Sequence, residues 1–557
     1  MKREINRLHG KTFDLVIVGA GIFGAAAARE ATLRGLDTAV IDKGDFSHAT
    51  SANHFKMVHC GIRYLQHGDF QRLRESSRER SALLRIAPHL VHNLPILIPT
   101  YGHGMKGKEV LGAGALLYDI FTLDRNKGLL PEKKITSSRF LSAHDVLAQF
   151  PELPAAGLTG GVVFDEGQMY NPPRLALAFL DSAARSGAVC ANYVTATGFA
   201  TEGNRVTGVT ATDKLDGSQL RLRARAVLNT AGPWAHRLLA RAQGLALSPR
   251  PIFSRDLAFV IPRRFPSSLG LALTTDTKDV DSIVDRGGRH LFAVPWQDRT
   301  LIGVWHKVCD CASEEIVVTE EELRGFMAEI NRAYPDLIHS FDDIRVVNTG
   351  LTLFGEEERQ GAADLSFGKR SQVIDHLDAH GMDGLFTLIG VRATTARGMA
   401  AQAMDRICQR LGRDPEQVDS SWIPVSGGDF ADFTSLVTRV LRGNDNVLSR
   451  AQAERLARNY GSKVEEVLAY GENDRSLFQS LGDSTIIGCE VVHAVREEMA
   501  LTLGDVIFRR TGAGTGAPPS AGTLAACASL MAKELGWSEE KTSQEIEQVQ
   551  QAYPRLG

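Results

Sequence analysis

FDLVIVGAGIFGAAAARE, residues 13 to 30, opens with an apolar run rich in valine and isoleucine, turns on glycines and passes into an alanine-rich stretch. Phe13 to Val18 predicts a buried strand and Ala25 to Arg34 a helix. Leu36 to Ile41 reads as a second apolar strand, ending at Asp42. Strand, loop, helix and strand make one βαβ unit. Gly19, Gly21 and Gly24 form GxGxxG between a strand and a helix, the setting in which this weak pattern becomes informative. Glycines there permit a tight turn, close approach of backbone to a pyrophosphate and close packing of helix on strand. The helix N-terminus then faces the phosphate charge. Asp42 follows Gly19 by 23 residues, placed to accept hydrogen bonds from an adenosine ribose. The motif leaves NAD and FAD both open. An NAD domain continues with further βα units, whereas here a polar loop at 44–61 and a strand-rich stretch from 186 intervene, and this favours FAD.

The chain has 557 residues, enough for two or three domains. Hydrophobic residues make up 43% and charged residues 23%, a globular composition. With 63 Lys+Arg against 66 Asp+Glu the net charge is −3, which excludes a general nucleic-acid binder, since those carry a basic excess. The seven cysteines are odd in number and scattered, unlike a disulfide framework, so the reading is a reducing compartment. Cys309 and Cys311 form CxC without a second pair at zinc spacing, and no metal site is expected. No signal peptide and no run of about 18 apolar residues is seen. The expected location is cytoplasmic, leaving room for peripheral contact with the inner face of a membrane.

Farther along, residues 69–86 read as a helix whose arginines form a solvated face. From 186 the strands AVCANYVTATGFATEGNRVTGVTATD suggest an antiparallel meander, with AVLNTAG returning to the parallel sheet. Residues 250–310 again read as strands and 319–334 as a helix. WIPVSGGDF is a linker, and 430–557 is helical apart from a loop at 511–522. From Ser421 onward there are 13 Lys+Arg against 18 Asp+Glu, poor material for an electrostatic membrane anchor.

Six segments taken together resemble a known family: Gly19 to Gly24, ATSANHFKMVHCGIRYLQHGDF (49–70), APHLVHNLP (87–95), NTAGPW (229–234), FAVPWQDRTLIG (292–303) and GVRATTARGMA (390–400). They look like the FAD-dependent glycerol-3-phosphate dehydrogenases, a branch of the D-amino-acid-oxidase-like flavoproteins. CEVVHAVREEMALTLGDVIFRRT (489–511) is similar to the helical C-terminal domain of that family. The resemblance spans nearly the whole chain in colinear order. It implies an α/β fold with a Rossmann-type FAD-binding domain (11–75, 155–235 and 350–412), an antiparallel β-sheet substrate domain (76–154 and 236–349) and an α-helical C-terminal domain (413–557). It also implies oxidation of a secondary alcohol by hydride transfer to flavin N5, a small anionic or polyol-like substrate, and quinone or oxygen as electron acceptor.

Carried over position by position, the family places Thr50, Ser51 and Lys56 in the flavin-contacting loop, with Gly232, Gly390, Thr394 and Thr395 also beside the cofactor. Gly390 to Thr395, followed by a helix, would aim a helix N-terminus at the flavin carbonyl where negative charge develops. His59, Arg63 and Tyr64 match the substrate side, and Arg370 and Arg392 are further anion holders. Several positions depart. Thr352 stands where the family has an arginine in Gly-Val-Arg-Pro-Leu. Val304, Trp305 and His306 replace Thr-Thr-Asp after a glycine, Leu257 and Ala258 replace Ser-His, and Arg392 replaces a lysine. The flavin half is intact and the substrate half altered. His59 or His306 would take the hydroxyl proton. An alternative is a larger sugar-like or biosynthetic intermediate stacked on Trp305, or a flavin-binding protein without turnover.

Overall fold

The computed structural model describes residues 1–103, 107–245, 251–275, 290–309, 316–356, 371–414, 418–444 and 447–553. Among these, the strands form a sheet of eight and a sheet of nine. Thr12–Val18 lies at the heart of the first, parallel to Thr38–Ile41 on one side and to Gln219–Asn229 on the other. Leu385–Ile389 and Val189–Ala191 extend the parallel set, and Gln372–Asp375 closes one edge antiparallel. A parallel sheet has both faces covered, which is why FDLVIV is continuously apolar instead of alternating. On one face pack the helices Ile22–Leu33, Pro172–Arg185 and Ala396–Arg410. Alanines 25 to 28 of the first of these are at most 1% exposed, their small side chains letting the helices approach closely. On the other face Val194–Glu202 and Arg205–Asp213 form the expected meander, and Gln219–Asn229 carries the chain back into the parallel set.

The second sheet runs in the order Val346–Glu356, Pro251–Pro262, Arg299–Cys309, His290–Trp296, Gly270–Thr274, Val91–Tyr101, Leu158–Met169, Met57–Val58. Its pairs are antiparallel apart from Gly270–Thr274 beside Val91–Tyr101. Helix Glu320–Ala333 covers its outer face, where Leu257, Phe259 and Ile261 pack with Phe326 and Ile330. Ala258 and Val260, of opposite parity, face inward with Phe55, Tyr64 and Trp296.

Leu158–Met169 pairs with Val91–Tyr101 along nearly its whole length, and Val346–Glu356 edges the second sheet. One sequence expectation is corrected here. The arginines of helix Phe70–Ile86 are not a uniformly solvated face: Arg80 is fully buried with a guanidinium N–H on the carbonyl of Asp165, and Arg72 borders the central cavity.

The C-terminal part is helical from Phe433–Arg442 to Glu539–Gln551, around two apolar clusters. It is tied to the first sheet by buried charge. Arg510 is 0% exposed and grips Asp45 with both terminal nitrogens, at 2.7 and 2.8 Å, while Arg509 Nε lies 2.6 Å from the same carboxylate. Arg174 holds both oxygens of Glu498, at 2.6 and 2.7 Å.

Candidate active site

A cavity of about 800 Å³ extends from the glycine turn to the inner face of the second sheet. At its first end Gly19 has φ +101°, and a Cβ there would lie 2.6 Å from the carbonyl oxygen of Thr230. A Cβ on Gly24 would overlap the Gly19 carbonyl, so this glycine serves helix-on-strand packing. A Cβ on Gly21 would stand 2.8 Å from the Ser51 hydroxyl, which accepts the first helical N–H, from Ile22, at 2.9 Å. Asp42 borders the cavity, its oxygens accepting from the N–H groups of Ala20 at 2.6 Å and Gly44 at 3.0 Å. Gly232, also on the wall, has φ +58°, a conformation that favours glycine.

Buried polar atoms on this wall without a hydrogen-bond partner among the described residues include Ser47 Oγ, Thr195 Oγ1, Trp234 Nε1, Asn348 Nδ2 and the Tyr64 hydroxyl. Leaving such a group unpaired costs about 1 to 3 kcal/mol, and a polar ligand along the cavity relieves it. Together with the glycine cradle and Asp42, these residues fit FAD.

The middle of the cavity gathers most of the remaining predicted residues. Thr394 Oγ1 accepts from the His59 backbone N–H at 3.0 Å, joining the loop to the start of helix Ala396–Arg410. Gly390 lines the wall against the Phe23 ring. Thr395 is buried behind it and donates to the Arg392 carbonyl at 3.2 Å. Thr50 reaches across to the second sheet, where its hydroxyl pairs with the backbone of Leu351 at 3.1 and 3.2 Å. Lys56 lies behind the wall: it is 1% exposed, 4.7 Å from the Trp296 ring centre, and donates to Asn348 Oδ1 at 3.1 Å. Burial pushes its ammonium down to about 7. His54 lines the cavity as a neutral ring, held down to about 3 by burial and then by the charge of Lys56.

On the substrate side the Arg392 guanidinium sits 4.9 Å from the centre of the Tyr64 ring, and Arg72 5.8 Å from it. His59 Nδ1 approaches Glu166 to 3.9 Å, and its side chain is 41% exposed. The backbone of Arg63 lies in the turn Ile62–His67, its side chain outside the described residues, as is all of Arg370. Trp305 is corrected: it stacks on Phe326, ring centres 5.5 Å apart at 27°, on the helix side of the sheet, so it offers no platform to a ligand.

Sequence reasoning missed one cluster. Asp256, on the inner face of Pro251–Pro262, has its Oδ1 2.5 Å from His306 Nδ1 and accepts from Ser254 Oγ and Thr352 Oγ1, each at 3.0 Å. All four residues line the cavity. An aspartate directly before the apolar run LAFVIP (257–262) was the available signal. Among the described residues no metal-binding cluster of His, Cys, Asp and Glu occurs, and no helix is long and apolar enough to cross a membrane.

Residues 14–390 match the family described as FAD dependent oxidoreductase, and residues 418–542 match the C-terminal domain of alpha-glycerophosphate oxidase. A glycerol-3-phosphate dehydrogenase of Synechocystis sp. is 29% identical over 98% of this chain and 97% of its own length. An aerobic glycerol-3-phosphate dehydrogenase of Staphylococcus aureus is 28% identical over 91% of this chain and 87% of its own. Among solved structures, the glycerol-3-phosphate dehydrogenase from Bacillus halodurans complexed with FAD superimposes with a TM-score of 0.76 at 24% identity, covering 98% of this chain and 96% of that one. The L-alpha-glycerophosphate oxidase from Mycoplasma pneumoniae shares the fold at a TM-score of 0.53 and 14% identity, covering 75% of this chain and 99% of that one.

Proposed function

The chain belongs to the family of FAD-dependent oxidoreductases, and from that premise we propose that it oxidises a small anionic or polyol-like secondary alcohol, with its preference shifted away from glycerol 3-phosphate. It is a glycerol-3-phosphate-dehydrogenase-like flavoenzyme acting on a CH–OH group. FAD, when bound, supplies the two-electron acceptor at flavin N5. The chain's own residues bind and orient. Gly19, Gly21, Gly24 and Ser51 cradle the pyrophosphate, Asp42 takes the ribose, and Thr394 with the following helix meets the flavin end. Arg392 over Tyr64, with Arg63 and Arg370, receives the anionic group of the substrate.

The observation that carries the reading is the single cavity that joins the glycine cradle to a wall bearing His306. The observation that favours a shifted substrate is on the same wall. Thr352, where the family presents an arginine, spends its hydroxyl on the carboxylate of Asp256. A phosphate there meets an anion in place of a guanidinium. Losing one charge-assisted bond weakens binding by about 1.5 to 3 kcal/mol, at least tenfold in rate. Anaerobic mixing of the FAD-loaded protein with polyol phosphates, free polyols and hydroxy acids, watching the oxidised flavin band, tests both statements. Bleaching by one of these, with glycerol 3-phosphate at least tenfold slower than in an ordinary family member, is expected. Ordinary glycerol 3-phosphate rates of about 10 per second refute the shift, and no bleaching by any alcohol refutes the function.

Re-oxidation of the bleached protein by oxygen or by a quinone then identifies the acceptor. Running the quinone arm in phospholipid vesicles tests a peripheral membrane contact, which Leu116 and Ile120, one turn apart on helix Lys108–Phe121, and Leu123 in the turn after it support: they are 53%, 63% and 80% exposed.

A further inference from the structure

Asp256 is a carboxylate on the inner face of strand Pro251–Pro262, its side chain 23% exposed to the cavity, directly before an apolar run in which Leu257 and Ala258 are 3% exposed and Phe259 and Val260 0%. A charge in such a wall costs stability unless it is hydrogen-bonded and has a task. Strand register supplies its bonds. Asp256 stands directly opposite His306 on one neighbouring strand and opposite Gly350 on the other, while Ser254 stands opposite Thr352. Gly350 brings no side chain, so the Thr352 hydroxyl reaches the carboxylate diagonally. Serine and threonine therefore hold the carboxylate from one side, and the imidazole meets it from the other.

We propose that Asp256 is a positioning residue that fixes the tautomer and the aim of His306, with Ser254 and Thr352 holding its carboxylate in place. The proposal rests on the oxidation described above. An ionised carboxylate only accepts hydrogen bonds, so the His306 nitrogen 2.5 Å away carries the hydrogen. Basicity is thereby assigned to Nε2, the opposite ring nitrogen. In the reaction the substrate O–H bond breaks and its proton goes to Nε2 of His306. The carbinol C–H electron pair leaves as hydride to the flavin, and the C–O bond becomes a carbonyl. Asp256 stabilises the resulting imidazolium. His59, the alternative acceptor on this cavity, has a looser relation to its carboxylate, 3.9 Å from Glu166. The pairing also explains Thr352: its hydroxyl holds the carboxylate that orients the base.

The test uses the FAD-loaded full chain and the alcohol that bleaches the wild type fastest. Asp256→Asn is expected to keep its flavin content and Tm, to leave KM within about threefold, and to lower the rate of flavin reduction by roughly 10² to 10⁴, the range for mispositioned acid–base groups. Thr352→Ser, which keeps the hydroxyl, is expected to stay near wild type, and Thr352→Val to lose about tenfold in kcat alone. A second readout needs no substrate. In ¹⁵N-histidine-labelled protein, with the His306 signals assigned by their loss in His306→Asn, the wild type should show hydrogen on Nδ1 and none on Nε2, and Asp256→Asn should lose that preference. Wild-type reduction rates in Asp256→Asn, or an unchanged tautomer, overturn the proposal. Should Asp256→Asn not fold, equal kcat for Thr352→Val and the wild type overturns it instead. A wild-type enzyme that no alcohol reduces sinks the assigned function and leaves the tautomer measurement to decide the pairing.

Discussion

At Gly21 one hydrogen atom stands where a side chain would press on the Ser51 hydroxyl, 2.8 Å away. Gly21→Val puts a branched group on the path of the pyrophosphate, and the expected result is largely colourless protein, measured as the ratio of flavin to protein absorbance in the purified sample. Full flavin content in that variant would move the cofactor's phosphates elsewhere. This residue was legible in sequence because its constraints are local: strand, turn and helix lie within a few positions of one another. Asp256 was not legible in the same way. Its partners His306 and Thr352 are 50 and 96 residues distant, and only the pairing of three strands brings them together. Trp305 shows how narrow the margin is. Its neighbours Val304 and His306 line the cavity, while one step of phase turns the indole to the opposite face of the sheet.

Between elements, a buried charge cluster joins the turn after Asp42 to the C-terminal helices. Burial opposes ionisation of Asp45, yet the charges of Arg510 and Arg509 outweigh it and hold the carboxyl well below its ordinary range. Breaking a buried charge group by removing one partner strands the others, at about 3 to 5 kcal/mol. Asp45→Ala is therefore expected to lower Tm by several degrees and to release FAD at lower denaturant than the wild type, followed by fluorescence of the freed flavin. Unchanged flavin release would make the junction irrelevant to the cofactor. The helical character of this region was readable from its residue pattern, and so was the βαβ unit. The affiliation of Leu158–Met169 was not, because an apolar strand reads alike in either sheet and only its partner Val91–Tyr101 decides.

For the molecule as a whole, buried histidines weaken the fold toward acid, against the opposite effect of Glu30 and Glu79, whose carboxyls burial pushes up. Burial holds His54, His89 and His92 down to about 3 and His376 to about 4, against an ordinary value of 6.5. Each ring is neutral in the fold and takes up a proton near 6.5 once exposed, so the unfolded chain binds more protons between about pH 6.5 and 3. Stability contributed by these groups is complete above 6.5 and falls as the pH drops through that window. Glu498, whose burial is outweighed by Arg174, is likewise held below its ordinary range and adds the same sign at lower pH. Tm is expected to decline steadily from pH 7 to pH 4 in a thermal melt series, and a flat series would contradict it. The junction at Asp45 also has a meaning in time. Arg510 follows Asp45 by 465 residues in the chain. At ribosomal speeds of about 5 to 20 residues per second, the nascent flavin loop waits on the order of half a minute to a minute and a half for its counter-charge. The turn after Asp42 thus gains its full set of bonds only when nearly the whole chain has emerged.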